Sequence, residues 1–264
     1  MRIATWNINS IRTRIDRATA FLERSNVDVL ALQETKCRDD QFPLLPFEAL
    51  GYEVALHGLN QWNGVAVASR LPILDVQVGF PGMPSWGDPA VQEARALGVT
   101  VEGPSGAKIV NWSLYVPNGR ELADPHYDYK LEWLARLADY ASSILKEDPE
   151  VQMTLMGDWN IAPLDEDVWD TEFFEGRTHV SAPERAAFKR FEDEGFVEVT
   201  RPLVDNYTYW DYQQLRFPKN QGLRIDFIYG SPALAKRVVG AEIDRNERKG
   251  KKPSDHVPVI IELD

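Results

Sequence analysis

The sequence predicts a mixed α+β protein in which two β-sheets pack face to face with helices on their outer surfaces. Short apolar runs of strand length alternate with amphipathic helical stretches along the whole chain. Several of those runs follow one another directly, separated only by Gly, Pro or Asn turn signals, which favours antiparallel pairing. Many strands with helices at their flanks bury their apolar surface best as stacked layers.

Residues 2–6 and 27–32 (VDVLAL) read as buried strands on either side of a helix over about 10–24, where Ile11, Ile15, Ala18 and Leu22 share one face. Strands follow at YEVALH (52–57), GVAVAS (64–69), ILDVQV (73–78), LGVTVE (97–102) and KIVNWSL (108–114). Asp124-Pro125 supplies an N-cap and a first-turn proline for a long helix carried by Leu131, Leu134, Ala138, Ala141 and Leu145. The strand VQMTLMG (151–157) runs into polar GDWN, and Ser181 with Glu184 forms a capping box for a helix through about Glu194. LRIDFIYG (223–230), VVGAEID (238–244) and HVPVIIEL (256–263) complete the strands. Neither a linker nor a repeat divides the chain, so residues 1–264 read as one domain.

Composition narrows the function classes. With 27% charged and 44% apolar residues the chain is a folding sequence rather than a disordered one. The 29 Lys+Arg against 41 Asp+Glu give a net charge of −12, which excludes coating of nucleic acid by bulk charge, since nonspecific affinity comes from phosphate neutralisation. Any DNA contact must therefore come from a local patch. A single cysteine, Cys37, permits no intrachain disulfide and no cysteine-based zinc cluster; it reads as a small buried residue. No signal-peptide core or membrane-length apolar run is present, so a cytosolic, membrane-free setting is expected.

The informative residues are polar ones at strand ends. Asn7 follows the first strand, Glu34 the second, and Asp158 and Asn160 follow VQMTLMG. Asp226 sits inside LRIDFIYG, and Asp255-His256 immediately precedes the last strand. A single carboxylate at a strand end is ordinarily a turn former; five such placements around apolar strands make a site if the ends converge. Oxygen-rich donors with open positions suit Mg²⁺ or Mn²⁺, with Asn7, Glu34, Asp158, Asn160, Asp255 and His256 as the candidate set. Zinc spacing, a Walker A loop and a GxSxG elbow are all absent, which leaves metal-assisted phosphodiester hydrolysis.

These blocks, TWNINSIR, LALQETKCRDDQFP, NGVAVASR, YVPNGR, GDWNIAP, GLRIDFIYGS and KPSDHVPV, resemble in order the signatures of the exonuclease III family of apurinic/apyrimidinic endonucleases, of bacterial or archaeal type. The likeness spans residues 3 to 262. It implies a four-layer αββα sandwich of the deoxyribonuclease I-like kind with the active site at one end of the sheets. It also implies cleavage of double-stranded DNA 5′ to abasic sites, 3′→5′ exonuclease and 3′-end trimming, one or two Mg²⁺ or Mn²⁺ ions, and a monomer.

Residue by residue, the resemblance makes Glu34 the principal metal ligand, with Asn7 beside it and Asp255 ligating directly or through water. Asp158 matches the carboxylate that orients or deprotonates the attacking water, and Asn160 the amide that positions the phosphate or that water. His256 matches the imidazole on a scissile-phosphate oxygen, and Asp226 the carboxylate that holds its tautomer. Tyr115 matches a phenol on the phosphate, acting as phenolate nucleophile or as leaving-group stabiliser. Trp210 resembles the aromatic wall of a small pocket for a flipped-out abasic sugar, with Ile225 beside it; a core position is the alternative.

Trp62 and Trp159 read as packing residues ahead of groove contacts, and His57, His126 and His179 as structural or surface residues. The acidic stretch 165–175 reads as a solvated loop. Arg12, with Arg14 and Arg17, and the segment RNERKGKK (245–252), with Arg248, Lys249, Lys251 and Lys252, are two basic groups that either line a DNA face or are solvated loop charges. Two other classes stay open at this stage: a phosphoinositide or sphingomyelin phosphodiesterase of the same fold, and a catalytically silent DNA-binding member.

Overall fold

The computed structural model describes residues 1–264. The chain opens with β1 (Arg2–Asn7), α1 (Ile11–Ser25) and β2 (Val29–Gln33), then a short α2 (Leu44–Ala49) and the pair β3 (Glu53–His57) and β4 (Val65–Ser69). A meander of β5 (Ile73–Val78), β6 (Ala96–Glu102) and β7 (Lys108–Tyr115) leads into α3 (Pro125–Glu147) and β8 (Gln152–Asp158). The remainder comprises α4 (Thr171–Phe174), α5 (Ala182–Asp193), β9 (Val197–Glu198), β10 (Asp226–Gly230), α6 (Pro232–Ala235), β11 (Val238–Ile243) and β12 (Val259–Leu263).

Two six-stranded sheets result, ordered β11-β12-β1-β2-β4-β3 and β5-β6-β7-β8-β10-β9. Strands that follow one another directly pair antiparallel, as expected: β3 with β4, β5 with β6, β6 with β7. The two parallel pairs, β1–β2 and β7–β8, are those joined through α1 and α3, because a parallel pair needs a long crossover.

Alternation along the buried strands builds the layers. In β1 and β2, Ile3, Val29 and Ala31 face the other sheet, where they meet Val99, Val101, Ile109, Met156 and Ile228. Their neighbours Ala4, Trp6, Leu30 and Leu32 face outward onto Phe21 and Leu22 of α1 and Phe47 of α2. On the far side Trp112, Leu114, Leu155, Phe227 and Tyr229 pack under Trp133, Leu134 and Leu137 of α3 and Phe188 and Phe191 of α5. Strands covered on both faces read as continuous apolar runs, and each such large side chain removed from water contributes about 1.5–3 kcal/mol. The architecture is the expected αββα sandwich.

Both helix starts behave as their sequences require. Asp124 accepts a hydrogen bond from the His126 amide at 2.8 Å, and Ser181 and Glu184 cap each other's backbone. Two strand boundaries differ from expectation. β10 begins at Asp226 rather than enclosing it, and β12 begins at Val259, so Asp255-His256 lies in a separate extended segment that bridges to Tyr209. The elements α2, α4, α6 and β9 were not expected, being too short to show a period.

Candidate active site

Strand register brings the polar strand ends together. Asn7 lies opposite Gln33 across β1–β2, which puts Glu34 one residue beyond it. Tyr115 lies opposite Asp158 across β7–β8, and Asp226 opposite Asp158 across β8–β10. Parallel strands end on the same edge, and the antiparallel β10 starts there, so all these side chains meet at one end of the sandwich.

Two glycines fix the local backbone. A side chain at Gly157 would sit 1.9 Å from the Leu114 carbonyl oxygen, so the close approach of β8 to β7 just before Asp158 requires glycine. At Gly64 (φ 90°) a side chain would meet Thr35 Oγ1 at 2.1 Å. That contact matters because Gly64 accepts from the Thr35 amide at 3.1 Å and holds the turn carrying Glu34, itself at φ 53°. Left-handed conformation at a non-glycine residue costs about 1–3 kcal/mol and collects at functional sites; Asn160, at φ 51°, is another instance.

Asn7 Nδ2 donates to Glu34 Oε1 at 2.7 Å and to Asp158 Oδ2 at 3.0 Å, tying the two carboxylates into one cluster. His256 Nε2 faces Asp158 Oδ2 at 3.6 Å, and its Nδ1 bonds Asp226 Oδ2 at 2.8 Å. Thr208 Oγ1 donates to the same Asp226 oxygen at 2.6 Å. Glu34, Asp158 and His256 each place a ligand atom within 4.8 Å of the others and form a possible metal-binding group. Asn160 lies against the cluster: its amide N–H donates to Asp158 Oδ1 at 2.9 Å, its Nδ2 to the Val116 carbonyl at 2.9 Å, and its Oδ1 accepts from Asn118 at 3.1 Å. Asp255 stands at the rim of the same cleft, held by Asn9 Nδ2 at 2.9 Å.

The electrostatics follow from this crowding. Burial pushes the Asp158 carboxyl up to about 7 against the pull of His256, with repulsion from Asp226 and Glu34 adding to the rise. Burial would lower the His256 imidazole, but Asp226 and Asp158 dominate and raise it to about 10. Burial would likewise raise Glu34, but the Lys36 ammonium at 2.7 Å and the Asn7 amide hold it below the ordinary carboxylate range. Burial and the Glu34 carboxylate push the Tyr115 phenol well above its usual value, which keeps it a hydrogen-bond donor; the Arg95 guanidinium lies 4.8 Å from its ring centre.

Beside the cluster the cleft, of about 380 Å³, opens onto an aromatic wall made by Trp169, Phe173, Phe174 and Tyr209, with Leu223 and Ile225. Trp210 is not part of it. Its ring is fully buried between the sheets, which corrects the expected pocket role. Successive residues of an extended segment face opposite ways, and Tyr209, bridged to Leu223 and His256, is the one that faces the cleft, 4.9 Å from the His256 ring. Trp169, Phe173 and Phe174 lie in the stretch expected to be a solvated loop; the aromatic spacing within VWDTEFF was the available signal. His179, expected to be a structural or surface residue, also lines the cleft, its Nδ1 at 2.6 Å from the Asn160 carbonyl oxygen.

The basic groups need a second correction. Arg248 is buried, its guanidinium donating to the Trp210 carbonyl at 3.0 and 3.3 Å and lying over the Tyr212 ring. It is an internal strut rather than a surface cation. Arg14 and Arg17 donate to the backbone carbonyls of Lys252 and Lys251 at 3.1 and 2.9 Å, so the two basic groups form one surface. Arg12, Lys249, Lys251 and Lys252 are exposed. Arg14 also bonds Tyr212 at 2.9 Å, which contacts Asn9, the residue holding Asp255. The patch therefore adjoins the cleft.

The sequence profile of the Endonuclease/Exonuclease/phosphatase family matches residues 4–256. The chain belongs to this family. Among members, exodeoxyribonuclease III of Haemophilus influenzae is 31% identical, the alignment covering all of both chains. A Neisseria 3′ phosphatase solved with a product DNA hairpin superposes with a TM-score of 0.90 at 34% identity, over 100% of this chain and 99% of the other. An AP endonuclease from Archaeoglobus fulgidus gives 0.89 at 32% identity, with the same coverage. In this family member no helix is long and apolar enough to cross a membrane.

Proposed function

We propose that this protein is a divalent-metal-dependent DNA-repair phosphodiesterase that cuts the backbone 5′ to abasic sites and trims 3′ ends, acting as a monomer on duplex DNA. The observation that carries this reading is the continuous line Asp226–His256–Asp158–Asn7–Glu34, of which Glu34, Asp158 and His256 line a cleft walled by aromatic side chains. The nuclease and phosphatase relatives support it, and the exposed cations beside the cleft give a place for phosphates.

The donor set fits a hard cation: the Glu34 and Asp158 carboxylates converge, each held by an Asn7 N–H, while Asn7 Oδ1 accepts from the Asn9 amide at 3.1 Å. Glu34 and Asp158 would hold Mg²⁺ or Mn²⁺, with Asn7, Asn160 and Asp255 close by, while His256, its Nδ1 engaged by Asp226, keeps Nε2–H for the phosphate. Such an ion, when bound, neutralises charge on the phosphate oxygens and lowers the pKa of water.

In the proposed chemistry Asp158 accepts the proton of the attacking water, from a position fixed by the Asn7 amide and the Asn160 N–H. His256, its Nδ1 bound to Asp226, presents Nε2–H to a non-bridging phosphate oxygen. Tyr115 donates a hydrogen bond to the phosphate as the water oxygen bonds phosphorus and the P–O3′ bond breaks, the departing 3′-oxygen taking its proton from solvent. Tyr209, Leu223 and Ile225 receive the sugar that lacks a base; extruding such a nucleotide is less costly than flipping a paired one.

The test is cleavage of a duplex carrying a tetrahydrofuran abasic analogue, beside undamaged duplexes with recessed and blunt 3′ ends, under Mg²⁺ and Mn²⁺ titration. A nick 5′ to the analogue and nucleotide release from the 3′ ends are expected. Absence of product on all of them refutes the reading. Asp158→Asn should lose at least about a hundredfold in turnover while still binding the abasic duplex; unchanged single-turnover cleavage would remove Asp158 from the base role.

A further inference from the structure

Trp62 is 64% exposed, against the packing role expected of it. An isolated exposed apolar residue needs no explanation, but the mounting of this one is specific. Its loop, residues 58–64 between β3 and β4, is fastened on two sides. The Lys36 amide donates to the Asn63 carbonyl at 2.9 Å and the Thr35 amide to that of Gly64 at 3.1 Å, which ties the loop to the turn of Glu34. The Gly64 amide donates to Ala94 at 2.9 Å, and Asn63 Nδ2 to Glu93 at 2.9 Å. Within the loop the Trp62 amide donates to Asn60 Oδ1 at 2.7 Å. An indole has been set out in water on an anchored support.

It stands over a groove of about 440 Å³ lined by Asn60, Asn63, Arg95, Arg120 and Asn118. Asn118 lines the catalytic cleft too, where its amide donates to Asn160, so groove and cleft are continuous. The groove's one carboxylate, Glu93, is engaged by Arg95 at 2.7 Å and by Asn63, while Arg120 is largely exposed. An aromatic face above polar amides and the largely exposed Arg120, whose only ion pair is a long one to Asp124 at 3.7 Å, suits a nucleotide: the base stacks, the phosphate meets a guanidinium, and stacking of this kind tolerates any base sequence. A peptide of apolar character would find only Leu59, Val91 and Ala94 beyond the indole.

We propose that Trp62 and Arg120 form a nucleotide subsite that takes an unpaired or frayed base of the DNA strand flanking the bond being cut. The inference rests on the phosphodiesterase reading. The subsite grips single-stranded or melted ends where the groove meets the cleft at Asn118, and it makes affinity depend on whether the substrate can offer an unpaired base.

The experiment uses hairpin DNA with a single-stranded thymidine 3′ tail in which 2-aminopurine replaces each position in turn. Wild type, Trp62→Ala and Trp62→Phe are compared for equilibrium binding in EDTA and for tail cleavage in Mg²⁺ or Mn²⁺. At one tail position wild type and Trp62→Phe should quench 2-aminopurine emission and Trp62→Ala should not. The alanine variant's Kd for the tailed hairpin should rise at least about fivefold, with the cleavage defect falling on KM, and its Kd for a fully paired blunt duplex should move much less. Equal quenching and equal Kd at every tail position, with wild type cleaving DNA normally, overturn the subsite alone. Failure of wild type to cleave any DNA overturns the phosphodiesterase reading and the subsite with it. Trp62 lies outside the core, so thermal denaturation of the variants should match wild type.

Discussion

His126 is held in its neutral form by everything around it. Its Nδ1 accepts from the Gly119 amide at 3.1 Å, and its ring packs edge-on to Trp86 and Tyr129. Burial and the Arg95 and Arg120 guanidiniums together outweigh Glu93 and Asp124 and lower its pKa to about 4. In the unfolded chain the imidazole returns to about 6.5, so below that pH the unfolded state binds the proton first. The neutral ring's contribution is fully present above about pH 6.5 and is lost as pH falls through about 4. Urea unfolding of wild type and His126→Asn at closely spaced pH values between 7.5 and 4.5 checks this. The variant should be less stable at pH 7.5, and its stability should fall less steeply on acidification; parallel curves would exclude His126. Other residue-level facts were only partly legible in the sequence. The chemistry of Asn7, Glu34, Asp158 and His256 stood out because polar groups at the ends of apolar strands are conspicuous. Whether Tyr209 or Trp210 faced the cleft depended on a one-residue phase of an irregular extended segment, and composition carries no information about that phase.

Between elements, the clearest device is a buried ion pair joining α3 to α5. Lys130 and Glu184 are both fully buried, 2.5 Å apart. Lys130 Nζ also donates to the carbonyls of Asn160 at 2.6 Å and Asn118 at 3.2 Å, while Glu184 accepts from the His179 amide at 2.9 Å. The pair therefore grips the backbone of two cleft-lining asparagines, one of them in the left-handed conformation. Removing one partner strands a buried charge at about 3–5 kcal/mol, whereas replacing both with apolar residues of similar volume is often neutral. Lys130→Met and Glu184→Leu singly should each lower Tm sharply. The double variant should recover most of that loss yet remain slow in turnover, because the Asn160 and Asn118 carbonyls then lose the ammonium that ties them together. A double variant with wild-type kcat would show that the pair acts on stability alone. The capping box of Ser181 and Glu184 was evident from the sequence; that the same carboxylate reaches a lysine on another helix required the packing of α3 on α5. Long elements with a clear period were likewise legible, while α4, which brings Phe173 and Phe174 to the cleft, was hidden by its length of one turn.

At the scale of the whole molecule, layers could be inferred from strand succession and helix faces, but the sheet order could not. The first strand pairs with the last, Ile3 opposite Ile261, and no local pattern announces a contact between chain ends. That closure brings the segment 245–252 against α1 and makes one basic surface beside the cleft of a protein whose net charge is −12. The surface separates two kinds of cation that look alike in sequence. Lys249, Lys251 and Lys252 point to water, whereas Arg248 is bonded to the Trp210 carbonyl beneath them. Neutralising the three lysines to Ser should weaken DNA binding and flatten the dependence of log K on log salt by ~0.9 for each phosphate contact removed, with Tm unchanged. Arg248→Met should do the reverse. It leaves a buried carbonyl unsatisfied at about 1–3 kcal/mol, so Tm should fall while the salt slope stays at the wild-type value. Titrations at several salt concentrations, set beside melting curves, distinguish the two; a lysine variant with the wild-type slope would place the DNA away from this face.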